Sequence, residues 1–180
     1  PDVYKRQYIN DLTKISLSPE SIARHHDMKI VYTPIHGTGV TVIPPTLKAF
    51  GFTNIIHVPE QDVVSGDFPT VVSPNPEEPA ALALAVEKAK ETDAELVVAS
   101  DPDADRVGAA VKNNEGEWVL LNGNQTALMF VYYLITRWKE LGKINGKEYI
   151  VKTIVTTELI RTIAEKNGVE VYDVYTGFKS

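Results

Sequence analysis

The chain is predicted to be an α/β protein, with a mixed, largely parallel sheet flanked by helices and an incomplete second α/β domain following it. Three observations carry this expectation. Apolar runs of strand length alternate with helical patterns nearly from end to end, the arrangement that builds a parallel sheet with crossover helices. Glycine turns punctuate several of the joins between them. An acidic stretch, Asp101-Pro102-Asp103-Ala104-Asp105-Arg106, breaks an apolar segment at the point where one strand would end.

Taken in order, residues 29–35 read as the first strand, and the Gly37 and Gly39 turn leads into a helix over 42–50. Residues 54–58 read as a second strand. The proline-containing loop 59–76 is long enough to be functional rather than merely connecting. The next helix is expected to take Asn75 as its N-cap, with Pro76 at the first helical position. Glu77 and Glu78 would then lie in its first turn, where the macrodipole favours acids. Ala81, Leu82, Leu84, Ala85 and Ala89 supply its buried face.

Residues 95–100 form an apolar run that reads as a buried strand, so the acids stand at a carboxyl end, where open α/β sheets place their ligands. Residues 107–112 and 118–121, joined by Asn113-Asn114-Glu115-Gly116, read as an antiparallel hairpin. A helix over 125–141 stops near Gly142, an expected C-terminal cap. Residues 149–155 then read as a strand, 157–166 as a helix ended by Gly168, and 169–175 as another strand. Thr176-Gly177-Phe178-Lys179-Ser180 opens a new loop, which is read here as a sign of truncation.

Composition narrows the function classes. With 180 residues, 43% hydrophobic and 23% charged, the chain can bury a sizeable core. A formal charge of -6 argues against a general nucleic-acid-binding surface. The complete lack of cysteine rules out disulfides and thiolate metal sites and fits a reducing compartment, so a cytoplasmic location is expected. The longest apolar run, 127–135, is far short of the roughly 18 residues that suggest a membrane span.

Three carboxylates at alternate positions point to a cation. Two unit charges about 5 Å apart at an effective dielectric near 20 repel by roughly 3 kcal/mol, and three acids make three such pairs. Without a counter-ion, one would protonate or splay away. An EF-hand loop also uses alternate ligands, but it needs Gly at its sixth position and Glu at its twelfth; Arg106 and Lys112 stand there. Hard oxygen ligands with room left for a phosphate oxygen suit Mg²⁺, and Asp101, Asp103 and Asp105 are the candidate ligands.

With these segments in place, residues 22–179 resemble the α-D-phosphohexomutases, the phosphoglucomutase and phosphomannomutase superfamily. Asp101 to Arg106 is similar to the family's magnesium loop, D-G-D-G-D-R; Pro102 and Ala104 replace two glycines at positions read as spacers, as in the phosphoglucomutase and phosphopentomutase branch. His36-Gly37-Thr38-Gly39 resembles the turn after the first strand of the family's second domain. Phe68-Pro69-Thr70 with Pro74-Asn75-Pro76-Glu77-Glu78 resembles the segment before its metal strand. Thr176-Gly177-Phe178-Lys179 resembles a third-domain loop facing the sugar phosphate. The resemblance implies that residues 22–121 are the second domain and 122–180 the opening half of the third. Residues 1–21 are then left outside both domains: 1–7 look like translated sequencing adaptor, and the remainder is expected to be interdomain linker, with 8–18 the tail of that connection.

The resemblance further implies reversible phosphoryl transfer between the 1- and 6-hydroxyls of a hexose phosphate, through a bisphosphate intermediate, in a Mg²⁺-dependent parent enzyme. In that scheme Asp101, Asp103 and Asp105 hold the ion, and Arg106 steadies the loop or touches the phosphoryl oxygens. Thr176, Gly177, Phe178 and Lys179 meet the sugar phosphate. The nucleophilic serine belongs to a first domain that this chain does not contain. Ser73 lies in a partial mimic of that serine loop, but Pro74 replaces the expected His and Glu77-Glu78 follow, so capping by Asn75 explains the segment. His36 is expected to be a structural turn residue, and His25, His26 and His57 to be exposed. Two alternatives stay open: a free-standing Mg²⁺ or phospho-ligand-binding module, and a parent acting on pentose or mannose phosphates.

Overall fold

The computed structural model describes residues 2–177. The chain divides into two compact units, Pro1–Asn122 and Gly123–Ser180. Phe178 and Lys179, two of the four expected sugar-phosphate contacts, lie outside the described residues.

In the first unit, helices α1 (Asp2–Thr13) and α2 (Pro19–Arg24) precede a five-stranded mixed sheet. Residues 2–7 form the first half of α1, which lies alongside α3 (Ile43–Phe50). The sheet order is β2-β1-β3-β4-β5, built from β1 (Lys29–Thr33), β2 (Asn54–His57), β3 (Leu96–Ser100), β4 (Val107–Lys112) and β5 (Trp118–Leu121). β1 pairs in parallel with both β2 and β3, whereas β3, β4 and β5 run antiparallel to one another. Four consecutive residues of β1 are buried, as expected for a central strand covered on both faces. The Asn113 turn closes the expected hairpin: Asn113 N–H donates to Glu117 O at 2.8 Å, and Gly116 takes a left-handed φ of 82°.

Helix α4 (Pro79–Thr92) packs on β1 and β3 through Ala81, Leu82, Ala85 and Ala89, all essentially inaccessible. Alanines four residues apart present a smooth face that lets the helix come close to the sheet. Val31, Ile35, Val58, Val97, Ala99 and Ala110 complete this core.

The start of α4 corrects the expectation from sequence. Neither Asn75 nor Pro76 opens the helix; Glu78 is its N-cap and Pro79 its first residue. Proline disfavours helical geometry in the residue before it, and Glu78 is accordingly extended, with φ -90° and ψ 129°. Asn75 makes a turn of its own, accepting from Glu77 N–H at 3.1 Å and donating to Glu78 Oε1 at 3.2 Å. Pro76 is fully buried against β4: a Cβ placed on Gly108 would come within 2.1 Å of the Pro76 carbonyl oxygen.

The second unit contains α5 (Gly123–Glu140), β6 (Tyr149–Thr153), α6 (Leu159–Lys166) and β7 (Glu170–Val174), with β6 and β7 paired in parallel. Ile135, Ala164 and Val169 form its core. Gly142 and Gly168 end their helices in left-handed conformations, φ 63° and 78°. At the carboxyl end of β6, buried Lys152 bonds Glu158 at 2.6 Å and Asp173 at 2.8 Å, tying the ends of both strands together.

The Pro76 contact leaves no room for a methyl group on β4. Gly108→Ala is expected to destabilise the first unit by about 1–3 kcal/mol, the usual cost of overpacking. Urea unfolding followed through Trp118, with Trp138 of the second unit as internal control, measures it.

Candidate metal centre

β1 and β3 are parallel neighbours, so the loops leaving their carboxyl ends emerge side by side, in the position where open α/β sheets bind ligands. The loop after β3 carries the acids. Asp101 is 2% exposed, whereas Asp103 and Asp105 are exposed. One carboxylate oxygen from each of the three lies within 4.8 Å of the other two.

Local chemistry explains the loop's shape. Ala104 N–H donates to Asp101 O at 3.0 Å, closing a turn in which Pro102 occupies the second position that proline favours. Ala104 is left-handed, with φ 62°, a conformation costing roughly 1–2 kcal/mol for a residue bearing a Cβ. The chain then doubles back so that Arg106 N–H meets Asp101 Oδ1 at 3.0 Å and Arg106 Nε meets Oδ2 at 2.8 Å. Pro102 and Ala104 are therefore not mere spacers: one sets the turn and the other supplies the reversal that closes the loop. Spacing alone does not show this, because the turn and the reversal depend on backbone conformation.

The electrostatics follow from this geometry. Burial works against ionisation of Asp101, but the side-chain and backbone hydrogen bonds from Arg106 outweigh it and hold the carboxyl below the usual range. Asp105 is pushed up, chiefly by the charge of Asp103 and then by its contacts with Asp101. The repulsion anticipated from the D-x-D-x-D spacing thus falls on Asp105, one of the two exposed members of the set.

The donor set fits Mg²⁺. All three side chains offer hard oxygen, and oxygen ligands of an octahedral Mg²⁺ stand about 3–4 Å apart, close to the observed spread. Asp103 and Asp105, being exposed, can rotate inward to close the remaining gap. Arg106 binds Asp101 through its backbone N–H and Nε, so its observed part is to steady the loop.

Behind this loop lies a polar network that sequence reasoning missed. Gln61 is fully buried; it accepts from Thr33 Oγ1 at 2.6 Å and donates to Thr70 Oγ1 at 3.2 Å. His36, 1% exposed, meets Val63 O through Nδ1 and Thr70 Oγ1 through Nε2, both at 2.8 Å. A proton on Nδ1 satisfies every partner: Nδ1 donates to Val63 O, and Thr70 donates to Nε2 while accepting from Gln61. His36 is therefore the structural turn residue expected, held at a left-handed φ of 63°. The glycines on either side of Thr38 were the available signal. Gly39 has no space for a Cβ, which would meet Tyr32 Oη at 2.5 Å and Ser100 Oγ at 2.6 Å. Burial raises the Tyr32 pKa to about 12, and its hydroxyl is hydrogen-bonded to Ser100 Oγ at 2.8 Å.

Other expectations meet the structure differently. His25 and His26 are exposed, but His57 is half-buried and bonds Asp62 at 2.8 Å, so its expected exposure is corrected; the loop after β2 folds back over it. Ser73 donates to Glu78 Oε1 at 3.1 Å, leaving the pair occupied with each other. Thr176 and Gly177 belong to the second unit and are exposed, with Gly177 left-handed at φ 85°. Among the described residues, no helix is long and apolar enough to cross a membrane.

In metal-free protein the raised Asp105 value has a definite sign. Between the ordinary carboxylate range and that higher value the folded state binds the extra proton, so stability contributed by this group falls as pH rises through the window. Asp103→Asn removes the largest cause. Its melting temperature in chelator is expected to equal or exceed that of the unsubstituted chain at pH 7, with a flatter decline across the window; scanning calorimetry from pH 4 to 7 checks both.

Comparison with known proteins assigns the two units to a common source. The model described as phosphoglucomutase/phosphomannomutase, alpha/beta/alpha domain II, matches residues 6–116, and that of domain III of the same family matches residues 122–180. The first match reaches into α1, further toward the amino terminus than residue 22. A phosphoglucomutase of Staphylococcus saprophyticus is 38% identical over 154 residues, 86% of this chain and 27% of that protein. A human phosphopentomutase is 36% identical over 176 residues, 96% of this chain and 29% of that protein. The chain thus spans under a third of the length of these relatives. The crystal structure of a phosphoglucomutase/phosphomannomutase family protein from Burkholderia thailandensis shares the fold, with a TM-score of 0.71, 21% identity, and coverage of 96% of this chain and 33% of that one.

Proposed function

The chain belongs to the phosphoglucomutase/phosphomannomutase family, and from that membership we propose that it forms the Mg²⁺-holding and part of the sugar-binding portion of a phosphohexomutase. That enzyme interconverts hexose 1-phosphate and hexose 6-phosphate through a bisphosphate intermediate. The observation that carries this reading is the convergence of Asp101, Asp103 and Asp105 at the carboxyl end of β3, closed by Arg106.

Each residue has a distinct part. Asp101 is the anchored ligand, kept ionised by its two hydrogen bonds from Arg106, while Asp103 and Asp105 complete the oxygen set from the solvent side. When bound there, Mg²⁺ would act as a Lewis acid on phosphoryl oxygens. Arg106 holds the loop in its ligating shape. Its outer guanidinium nitrogens make no protein hydrogen bond among the described residues and are left to face an anion. Thr176, Gly177, Phe178 and Lys179 meet the sugar phosphate: Gly177 allows a close backbone approach, Phe178 shapes the wall, and Lys179 pairs with phosphate. In this reading the nucleophilic serine comes from outside this chain; its support is that Ser73 is engaged with Glu78 and is followed by Glu77 and Glu78, whose charge repels a phosphoryl group. Similarity to the human phosphopentomutase supports a second reading, in which the sugar is a pentose phosphate.

Titrating Mg²⁺ into the chain by calorimetry is expected to give one site, weakened at least about ten-fold in Asp103→Asn, as loss of a ligand from an ion that insists on its geometry requires. Equal affinity in the two proteins rejects the loop as the site. Incubated with Mg²⁺, glucose 1,6-bisphosphate and either glucose 1-phosphate or ribose 1-phosphate, the chain by itself is expected to turn over neither. Steady formation of the 6- or 5-phosphate would overturn the assignment of the nucleophile to another part of the enzyme.

A further inference from the structure

The acidic loop does not stand on its own strand alone. The carbonyl oxygen of Pro102, inside the loop between the first two acids, accepts two hydrogen bonds from one residue of the neighbouring turn: Thr38 N–H at 2.9 Å and Thr38 Oγ1 at 3.1 Å. The residue before it, Gly37, lies directly against Pro102. A Cβ at Gly37 would stand 2.4 Å from Pro102 Cα and 2.7 Å from its carbonyl oxygen. Gly37 has φ -97° and ψ 178°, ordinary extended backbone that any residue adopts, so its want of a side chain answers to space alone and not to conformation. The turn is held in turn from behind, where His36 N–H donates to Gln61 O at 2.9 Å and the His36 ring joins buried Gln61 and half-buried Thr70.

We infer that Thr38, with Gly37 beneath it, is a positioning residue for the metal loop: it fixes the peptide that joins Asp101 to Asp103 and thereby sets both affinity and selectivity for Mg²⁺. The inference rests on the reading of Asp101, Asp103 and Asp105 as the ligand set. Its physical basis is the difference between cations. Mg²⁺ demands near-ideal octahedral geometry at short distances, whereas Ca²⁺ accepts six to eight ligands in a looser arrangement. A loop whose second residue is pinned at its carbonyl has less freedom to adopt the wider shell. Loosening it therefore costs Mg²⁺ more than Ca²⁺.

Thr38 is exposed, so replacing it removes little packing. Thr38→Val keeps the backbone N–H and the side-chain shape and deletes only the hydroxyl donor. One net hydrogen bond corresponds to about three- to ten-fold in an equilibrium constant, and Mg²⁺ affinity is expected to fall by that factor. Thr38→Ser, which keeps the donor, is expected to restore it. Gly37→Ala, which must push Pro102 away, is expected to weaken Mg²⁺ more than Thr38→Val does. In both weakened variants Ca²⁺ affinity changes less, so the ratio of the two constants falls.

Calorimetric titrations of Mg²⁺ and Ca²⁺ into the four proteins separate the outcomes. If the unsubstituted chain binds Mg²⁺ and Thr38→Val and Gly37→Ala bind it equally well, the positioning role is overturned and the ligand set stands. Parallel loss of Mg²⁺ and Ca²⁺ affinity, or failure of Thr38→Ser to recover, overturns it as well, because general disturbance of the loop would then suffice. If the unsubstituted chain binds no Mg²⁺, the ligand assignment fails and this inference fails with it.

Discussion

Asp101 lies under a constraint that shapes everything around it. A carboxylate sunk to 2% exposure at the end of a strand loses most of its hydration, and such a group survives ionised only when protein donors replace the lost water. Arg106 supplies them from five residues on, through its backbone N–H and its Nε, and to reach back it needs the chain to reverse. That reversal falls on Ala104, in a conformation that an alanine adopts only at some cost. The same reversal sets Asp103 and Asp105 facing solvent beside Asp101. Burial of one carboxylate thus dictates the arrangement of all three.

The loop is supported from two sides by different physics. Toward the core, small residues govern distance: the alanine face of α4 lies close to the sheet, and Gly108 admits Pro76 where any side chain would collide. Toward the crevice, polar groups govern orientation. Thr33, Gln61 and His36 are buried, Thr70 is half-buried, and each bond among them has a donor and an acceptor, which is the condition under which such networks specify one arrangement rather than weaken the core. Packing brings the segments together, and the network decides how the turn at residues 35–39 faces the acids.

This division bears on the proposed function. Phosphoryl transfer depends mainly on positioning and charge stabilisation, so a scaffold serving it has to hold charges rigidly at a surface open to substrate. The acidic loop has that character: one carboxylate is anchored in the protein and two reach from solvent, and their mutual repulsion, which raises Asp105, is the strain a cation would relieve.

Much of this was legible in the chain itself. The alternation of apolar runs with helical patterns, the hairpin at Asn113 to Gly116, and the terminations at Gly142 and Gly168 are local signals, each carried by a few neighbouring residues, and all of them match the structure. So is the triad, because alternate acids after an apolar strand are themselves a local pattern. The start of α4 also has a local signal, since Pro79 disfavours helix at Glu78, but Asn75-Pro76 three residues earlier carries a similar cap pattern and only the structure separates the two. The contacts of Pro76 with Gly108, of Gly37 and Thr38 with Pro102, and of His36 with Thr70 could not be read from sequence at all. They join residues 32, 65, 64 and 34 positions apart, and no propensity or spacing rule couples positions so far separated. The sequence determined which elements form and which side chains carry charge; only the tertiary structure decided which backbone stands against the acidic loop, because that depends on the pairing of β1 with β3 and on the space that Gly37 leaves beside Pro102.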